Sequence, residues 1–524
     1  MIESIEQLRG LEKHYNAAVH FVDRNVKNGN HNKTAIICGD EELTYQQVQS
    51  LMNQFGNALK SIHVEIENRI LISTADCPEF VASFFGALKI GAVPIPVNNK
   101  IQPQDYEYFL NHSRAKVFVV HKDIWEEIKE YKSRFLFLKH VIVLSDETPY
   151  TEEIDFYEFI NNRSPELETA YTSSEDTAFW LYSSGSTGKP KGVIHRQGSM
   201  EAAFKNYASN ILNIRETDRT FSASKLYFAY GLGNGLYFPF GAGATSIMLK
   251  DKPTPENVFK VLEEQRPTIF FGVPTLYGAM INYVKKTGRL PDLSSVRVCV
   301  SAGEALPASY IEKWKDLFGI DILDGIGSTE ALHIFLSNRS GEVQPGSTGR
   351  IVPGYQAKIV DEEGKEVEKN EIGDLVIKGD SIATAYWNNL EENYHKFRGE
   401  WMFTGDKYYE DEEGCFWYCG RSDDMLKVGG IWVSPVEIES TLLEHQSVLE
   451  VAVVGEKDQD GLLYPKANIV LVDSGEACDD LCEELKQFVK QKLAPYKYPR
   501  KIQFITDLPK TTTGKIQRFK LRQP

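Results

Sequence analysis

Tyr182, Ser183, Ser184, Gly185, Ser186, Thr187, Gly188, Lys189, Pro190, Lys191, Gly192 and Val193 follow directly on the apolar run Thr177 to Leu181. The apolar run predicts a strand, and the segment after it a loop suited to a polyphosphate. Glycine lets backbone N–H groups approach an anion closely, Ser and Thr add hydroxyl donors, and lysine supplies positive charge. The loop is not a Walker A motif, because Pro190, Lys191 and Gly192 stand where that pattern needs Gly, Lys and Ser or Thr. A Ser/Gly cluster is also the composition of an ordinary surface loop. Taken alone, the stretch leaves both readings open.

Bulk properties narrow the setting. At 524 residues, with 42% apolar and 25% charged residues, the chain has the composition of a folded globular protein of about three domain lengths. A formal net charge of -16 argues against nucleic acid or an anionic membrane as the main partner, so an anionic ligand must be captured locally. The first thirty residues lack a basic start followed by an apolar core, and no later run is long enough to span a bilayer. A cytoplasmic location is therefore expected. The seven cysteines are scattered, and the CxxxC pairs Cys415/Cys419 and Cys478/Cys482 lack the spacing or His partners of a zinc site. Reduced thiols are expected.

Strand and helix signals alternate through the first part of the chain. Thr34 to Ile37 reads as a strand, and Thr44 with Gln47 forms a capping box before a helix with Val48, Leu51, Phe55, Leu59 and Ile62 on one face. Ile70 to Ser73, Val93 to Val97, Val117 to Val120 and Val141 to Leu144 read as strands, with a helix at Pro78 to Ile90. This βαβ alternation implies parallel sheet covered by helices. Gln197 to Ile214 is expected to be helical. Strands at Thr268 to Val273, Val296 to Val300 and Asp321 to Asp324 end in Pro274, in Ser301 to Glu304 and in Gly325 to Glu330. Ligands of open α/β sheets bind beyond such strand ends, so the three are expected to converge with the opening loop on one crevice. From Gly346 the sequence changes to strands and turns with antiparallel character, and after Gly420 to Asp424 it builds a compact α+β unit. The expected architecture is α/β: a large N-terminal domain, 1–422, of parallel and mixed sheets with helices plus an antiparallel strand unit, and a small mobile α+β domain, 423–524.

Tyr182 to Val193, Gly325 to Glu330, Thr404 to Asp406, Gly420 to Asp424 and Pro509 to Arg518 together resemble the ordered motifs of the adenylate-forming superfamily of acyl-CoA synthetases, luciferases and peptide-synthetase adenylation domains. The resemblance implies two half-reactions, in which a carboxylate attacks the α-phosphate of ATP and the thiol of coenzyme A then displaces AMP. It also implies residue roles. Ser183, Ser184, Gly185, Ser186, Thr187, Gly188 and Lys191 would wrap the β and γ phosphates, Thr329 would contact the α-phosphate region, and Glu330 would help hold Mg²⁺. Asp406, with Arg421 beside it, would hold the ribose hydroxyls, and Gly303, Glu304, Asp324, Gly325 and Ile326 would frame adenine and ribose. Lys515 matches the adenylation lysine, Asp423 the hinge, and Gly429 and Gly430 the lining of the pantetheine channel.

Lys225 to Asn234 and His333 to Phe335 resemble the corresponding stretches of benzoate-CoA ligases. Phe228, Ala229, Tyr230, Gly327, His333 and Ile334 would then line a flat aryl pocket, which bulky rings keep short enough to favour a compact planar acid. His333 either faces the substrate or satisfies a core hydrogen bond. The expected partners are a small aryl acid, ATP and coenzyme A, for a monomer or homodimer. Three other readings share these motifs: a medium-chain fatty acyl-CoA ligase, an aryl adenylation enzyme loading a carrier protein in trans, and a nucleotide sensor with dead chemistry.

Overall fold

Successive residues of a strand face opposite sides of its sheet, and here that alternation sorts the apolar side chains into stacked layers. The computed structural model describes residues 14–146, 149–183, 189–428, 431–458, 462–510 and 516–522. A parallel sheet of five strands runs, in spatial order, Val93–Pro96, Arg69–Ser73, Val117–His121, His140–Leu144 and Ile154–Asp155. A nine-stranded sheet has a parallel centre of Ile322–Gly327, Val298–Ser301, Ile269–Gly272, Arg219–Ser222, Thr245–Met248 and Thr34–Cys38. Its edges are antiparallel, Ile334–Ser337 and Arg350–Ile351 on one side and Glu41–Thr44 on the other.

The two sheets share one core. Ile70, Ile72, Val117 and Val119 enter it from the first sheet, and Ile269, Phe271, Val298 and Val300 from the second. The alternate residues Leu71, Phe118 and Val120, and Phe270 and Cys299, pack into separate clusters on the outer faces. Within the shared core lies the helix Pro78–Lys89, every residue of which is buried. A helix enclosed in this way must be apolar on all sides, and Phe80, Val81, Phe84, Phe85 and Leu88 satisfy that. Its one lysine, Lys89, is neutralised by Asp23 at 2.7 Å. Each such buried side chain contributes about 1.5–3 kcal/mol. The helix Tyr45–Ser61 starts on the expected capping box, with Thr44 N–H donating to Gln47 Oε1 at 2.8 Å and Gln47 N–H to Thr44 Oγ1 at 3.3 Å.

Two expectations need correction. Gln197 to Ile214 is helical only over Ser199–Ala203 and the wider turns Phe204–Ser209. Gln197 is instead buried, accepting from Ala17 N–H at 2.9 Å, and Asn213 turns left-handed at φ 46. The strand expected to stop at Asp324 continues to Gly327 and pairs with Ile334–Ser337. Glycine permits this close pairing: a Cβ at Gly325 would lie 2.8 Å from Leu336 O, and one at Gly327 would lie 2.5 Å from His333 O.

A smaller sheet carries the opening stretch. Thr177–Ser183 and Lys191–Arg196 form a hairpin in register Ser183 to Lys191, and Ala385–Tyr386 adds to its edge. The antiparallel unit expected after Gly346 contains Tyr355–Val360, Gly373–Gly379, Trp401–Glu410, Phe397–Arg398 and Phe416–Arg421. The C-terminal domain sets Val448–Lys457, Leu463–Leu471 and Lys501–Phe504 against the helices Pro435–Leu443 and Asp479–Lys492 around its own core of Ile438, Val453, Ile469 and Leu485. All seven cysteines are free thiols; five are buried, Cys482 is half-buried and Cys478 is exposed.

Arg518 anchors the last helix, Arg518–Leu521, to this domain by donating to both carboxylate oxygens of Glu439 at 3.0 and 2.7 Å. Glu439 is buried and also accepts from Val453 N–H at 2.7 Å. Arg518→Met strands that carboxylate and should destabilise the C-terminal domain by about 3–5 kcal/mol. Urea unfolding followed by a probe in that domain measures the loss, and an unmoved transition would contradict the role given to the pair.

Candidate active site

The crevice lies where Val298–Ser301 and Ile322–Gly327 end, facing the hairpin and the antiparallel unit. After Ser301 the backbone turns through Gly303 at φ +102, a conformation suited to glycine, with nothing within 4 Å of the position a Cβ would take. Asp324 is buried, and burial pushes its carboxyl well above the usual range, although N–H groups of Gly325 and Leu306 partly offset this. Its Oδ1 has no hydrogen-bond partner among the described residues.

Thr329 and Glu330 sit in the turn after Gly327, and side chains from other sheets fix them there. His195, from the hairpin, has Nε2 2.8 Å from Thr329 O. Its ring stacks on Phe179 and is fully buried, and burial lowers its pKa to about 4. The neutral ring therefore donates through Nε2 to the carbonyl, leaving Nδ1 unprotonated and without a partner among the described residues. Tyr386 donates its hydroxyl to Glu330 Oε1 at 2.7 Å, and Ala383 N–H donates to Glu330 O at 2.7 Å. Burial alone would raise the Glu330 pKa, but the charge of Lys396 and the Tyr386 hydroxyl outweigh it, and the carboxyl is held below its ordinary range. A buried ionised carboxylate among hydroxyl and ammonium groups is a donor suited to a hard divalent cation beside phosphates.

Asp406 pairs across the strands with Arg421, whose Nη1 lies 3.0 Å from Asp406 Oδ1. Both Arg421 and Lys396 also donate to Thr404 O, at 3.3 and 2.9 Å. Lys191 is paired with Glu392 at 2.7 Å and lies 5.2 Å from the centre of the Tyr386 ring. Three cations and three carboxylates thus line one side of the crevice.

Deeper in the fold, aromatic side chains pack around His333, which is almost fully buried. Its Nε2 meets Asn234 Oδ1 at 3.0 Å, and the rings of Phe238, Tyr207 and Tyr230 centre 4.3, 5.2 and 5.6 Å away. Of the two roles read from the sequence, the core hydrogen bond is therefore present. Nδ1 of His333, Nδ2 of Asn234 and the hydroxyl of Tyr237 have no partner among the described residues. Gly233 makes room for the imidazole, since a Cβ there would lie 2.5 Å from His333 Cδ2. Tyr230 donates its hydroxyl to Val300 O at 3.2 Å, and Ala229 begins the short helix Ala229–Leu232 with Phe228 at its cap. Ile334 is buried in the strand beside Gly325.

The structure thus gathers Thr329, Glu330, Asp406, Arg421 and Lys191 at one end and Tyr230, Gly327, His333 and Ile334 at the other. Ser184, Gly185, Ser186, Thr187, Gly188, Gly429, Gly430 and Lys515 lie outside the described residues. Asp423 is exposed in the turn after Phe416–Arg421. Ile516, next in sequence to Lys515, donates its N–H to Glu304 Oε1 at 3.2 Å, so the C-terminal domain touches the crevice there. Sequence reasoning missed His195, Tyr386 and Lys396. His195 occupies an inward phase of its strand, which was readable, whereas a lysine at the end of an amphipathic segment looks like any solvated charge.

The order of the two domains and the residues gathered here are those of an AMP-binding enzyme. The chain belongs to the AMP-binding enzyme family: its residues 22–387 match that family's model, and 437–515 match the AMP-binding enzyme C-terminal domain. It is 46% identical over 516 residues to a benzoate-CoA ligase of Thauera aromatica, covering 98% of this chain and 96% of that protein. Its fold superposes on the anthranilate CoA ligase AuaEII in complex with anthranoyl-AMP with a TM-score of 0.93, at 43% identity over 97% of this chain and 96% of the other. The corresponding values for a benzoate CoA ligase from Burkholderia xenovorans LB400 are 0.88, 44%, 97% and 100%.

Burial lowers the His333 pKa to about 3 and that of His195 to about 4. Both rings should therefore stay neutral from pH 5 upward. Imidazole NMR shifts of the two histidines, assigned through His→Gln variants, should not move between pH 5 and 8; a midpoint near the ordinary 6.5 for either would contradict the buried, neutral assignment.

Proposed function

We propose that this protein ligates benzoate, or a closely related aryl carboxylate, to coenzyme A through an aryl adenylate, with release of pyrophosphate and AMP. The observation that carries the reading is the cluster of aromatic rings packed around His333, shortly after the Thr329/Glu330 turn. The identity to benzoate-CoA ligases over nearly the whole chain supports it. Among the described residues no helix is long and apolar enough to cross a membrane. Free thiols throughout favour a reducing compartment, and we place the reaction in the cytoplasm.

A free carboxylate is unreactive toward a thiol because oxide is a very poor leaving group. In the first half-reaction a carboxylate oxygen of the acid attacks the α-phosphorus, the bond to the bridging oxygen breaks, and pyrophosphate leaves. In the second, the thiol gives up its proton, its sulfur attacks the acyl carbon, and AMP departs with the carbonyl–oxygen bond electrons. Both steps need mainly positioning and charge stabilisation. Ser183 to Gly188 with Lys191 grips the β and γ phosphates, and Thr329 the α-phosphate region. Gly303, Glu304, Asp324, Gly325 and Ile326 frame adenine and ribose. Asp406 accepts from the ribose hydroxyls while Arg421 fixes its carboxylate. Glu330 would hold Mg²⁺ together with phosphate oxygens, and the bound ion supplies charge neutralisation there. Phe228, Ala229, Tyr230, Gly327, His333 and Ile334 enclose the aryl ring, with neutral His333 and Asn234 presenting polar atoms at its edge.

Lys515 bridges the reacting carboxylate and phosphate oxygens in the first half-reaction. The C-terminal domain, 423–524, then turns about Asp423 from the large domain, 1–422, and brings Gly429 and Gly430 to the pantetheine path. The contact of Ile516 with Glu304 supports this reading, because it belongs to the arrangement that adenylation requires.

AMP release measured with benzoate, hydroxybenzoates, 2-aminobenzoate, phenylacetate and hexanoate should be fastest with benzoate or a ring-substituted benzoate; preference for hexanoate would sink the aryl assignment. Lys515→Ala should slow adenylation by about a hundredfold to a thousandfold while thioester formation from presynthesised benzoyl adenylate persists. Equal loss of both half-reactions would remove Lys515 from its assigned step.

A further inference from the structure

Lys396 closes the helix Leu390–Lys396 and belongs to none of the motifs read from the sequence. Its ammonium has one hydrogen-bond acceptor among the described residues, Thr404 O at 2.9 Å. An ammonium carries three donors, so two remain available. The group is not on open surface: Glu330 and Asp406 attract it, and Arg421 and Lys191 repel it, all from within the crevice. It forms no ion pair within 4.0 Å with either carboxylate among the described residues. Both carboxylates act on its charge, and the hydrogen bond to Thr404 O holds it at the strand that carries Asp406.

That position has a specific meaning for a nucleotide. In the function proposed above, Asp406 holds the ribose, while Glu330 and the hairpin loop hold the outer phosphates. The part of ATP that joins these two regions is the α-phosphate. We propose that Lys396 is an α-phosphate ligand, spending its two remaining donors on the non-bridging oxygens of ATP, of the aryl adenylate and of AMP. The inference rests on the ribose assignment of Asp406.

The chemistry suits the place. Negative charge builds on the α-phosphate oxygens as the acid carboxylate attacks, and a cation already fixed in a partly desolvated site stabilises it without reorganisation. Lys396 comes from the antiparallel unit of the large domain, pinned by Thr404 beside Asp406. It therefore stays with the nucleotide when the C-terminal domain turns away. Lys515 serves one half-reaction; Lys396 serves both, holding the AMP moiety as a leaving group in the second.

Calorimetric titration of the full-length protein with AMP and with adenosine separates the proposal from a structural role. Lys396→Met should weaken AMP binding by about tenfold or more, the scale of a lost charge-assisted hydrogen bond, and leave adenosine binding unchanged. Lys396→Gln, read the same way, covers the case in which Met disturbs the fold. Equal loss for both ligands would make Lys396 a strut for Thr404, and no loss for either would place it away from the phosphate; both results overturn the proposal. Asp406→Asn should weaken both ligands alike. If it affects neither, the ribose assignment beneath the inference fails, whereas loss with Asp406→Asn but none with Lys396→Met refutes the lysine alone.

Discussion

A carboxylate buried at the meeting point of three sheets has to be compensated, and Glu330 is that carboxylate. Leaving such a charge unpaired costs several kcal/mol, so the groups that satisfy it are held as firmly as any core contact. The hydroxyl comes from Tyr386, whose strand extends the hairpin sheet at Val193. The charge that most favours its ionised form is that of Lys396, from the antiparallel unit. The backbone of the same turn is tied by Ala383 N–H to Glu330 O and by Ser381 Oγ to Ala331 O, both at 2.7 Å. His195 adds a link from the hairpin to Thr329. One charge therefore sets the distance between the phosphate-loop hairpin, the end of the nine-stranded sheet and the strand that carries Asp406.

Chemistry in two stages makes opposing demands on such a site. The nucleotide must stay in one place while the nucleophile changes, from the acid carboxylate attacking phosphorus to a thiol attacking the acyl carbon. The large domain meets the first demand with a shared core that encloses a whole helix and cannot rearrange cheaply. The C-terminal domain meets the second by having a hydrophobic core of its own, separate from the main one. Among the described residues, the backbone N–H of Ile516 on Glu304 Oε1 joins this domain to the large one.

Legibility in the sequence followed the range of the forces involved. Strand positions, the Thr44/Gln47 capping box and the C-terminal helices were readable because periodicity and capping act over a few residues. The extension of Ile322–Gly327 was not, because the reason for it lies across the sheet: Gly325 and Gly327 read locally as a turn, yet serve close pairing with Leu336 and His333. The nucleotide motifs were readable as ordered segments, and their chemistry made sense of Glu330 and Asp406. Tyr386 and Lys396 were not, since the interaction each makes with Glu330 joins segments more than fifty residues apart in sequence. His333 was legible as a pocket candidate, whereas the enclosure by Asn234, Tyr207 and Phe238 needed the fold.

The distribution of thiols has a practical side. Five cysteines are sealed in the interior, and the exposed one, Cys478, caps the helix Asp479–Lys492 in the C-terminal domain. A maleimide dye added to the unaltered protein reacts first at this surface thiol and leaves the sealed ones untouched. The chain carries its own attachment point for a fluorescent reporter on the C-terminal domain, so the surroundings of that domain can be followed without engineering a cysteine into it.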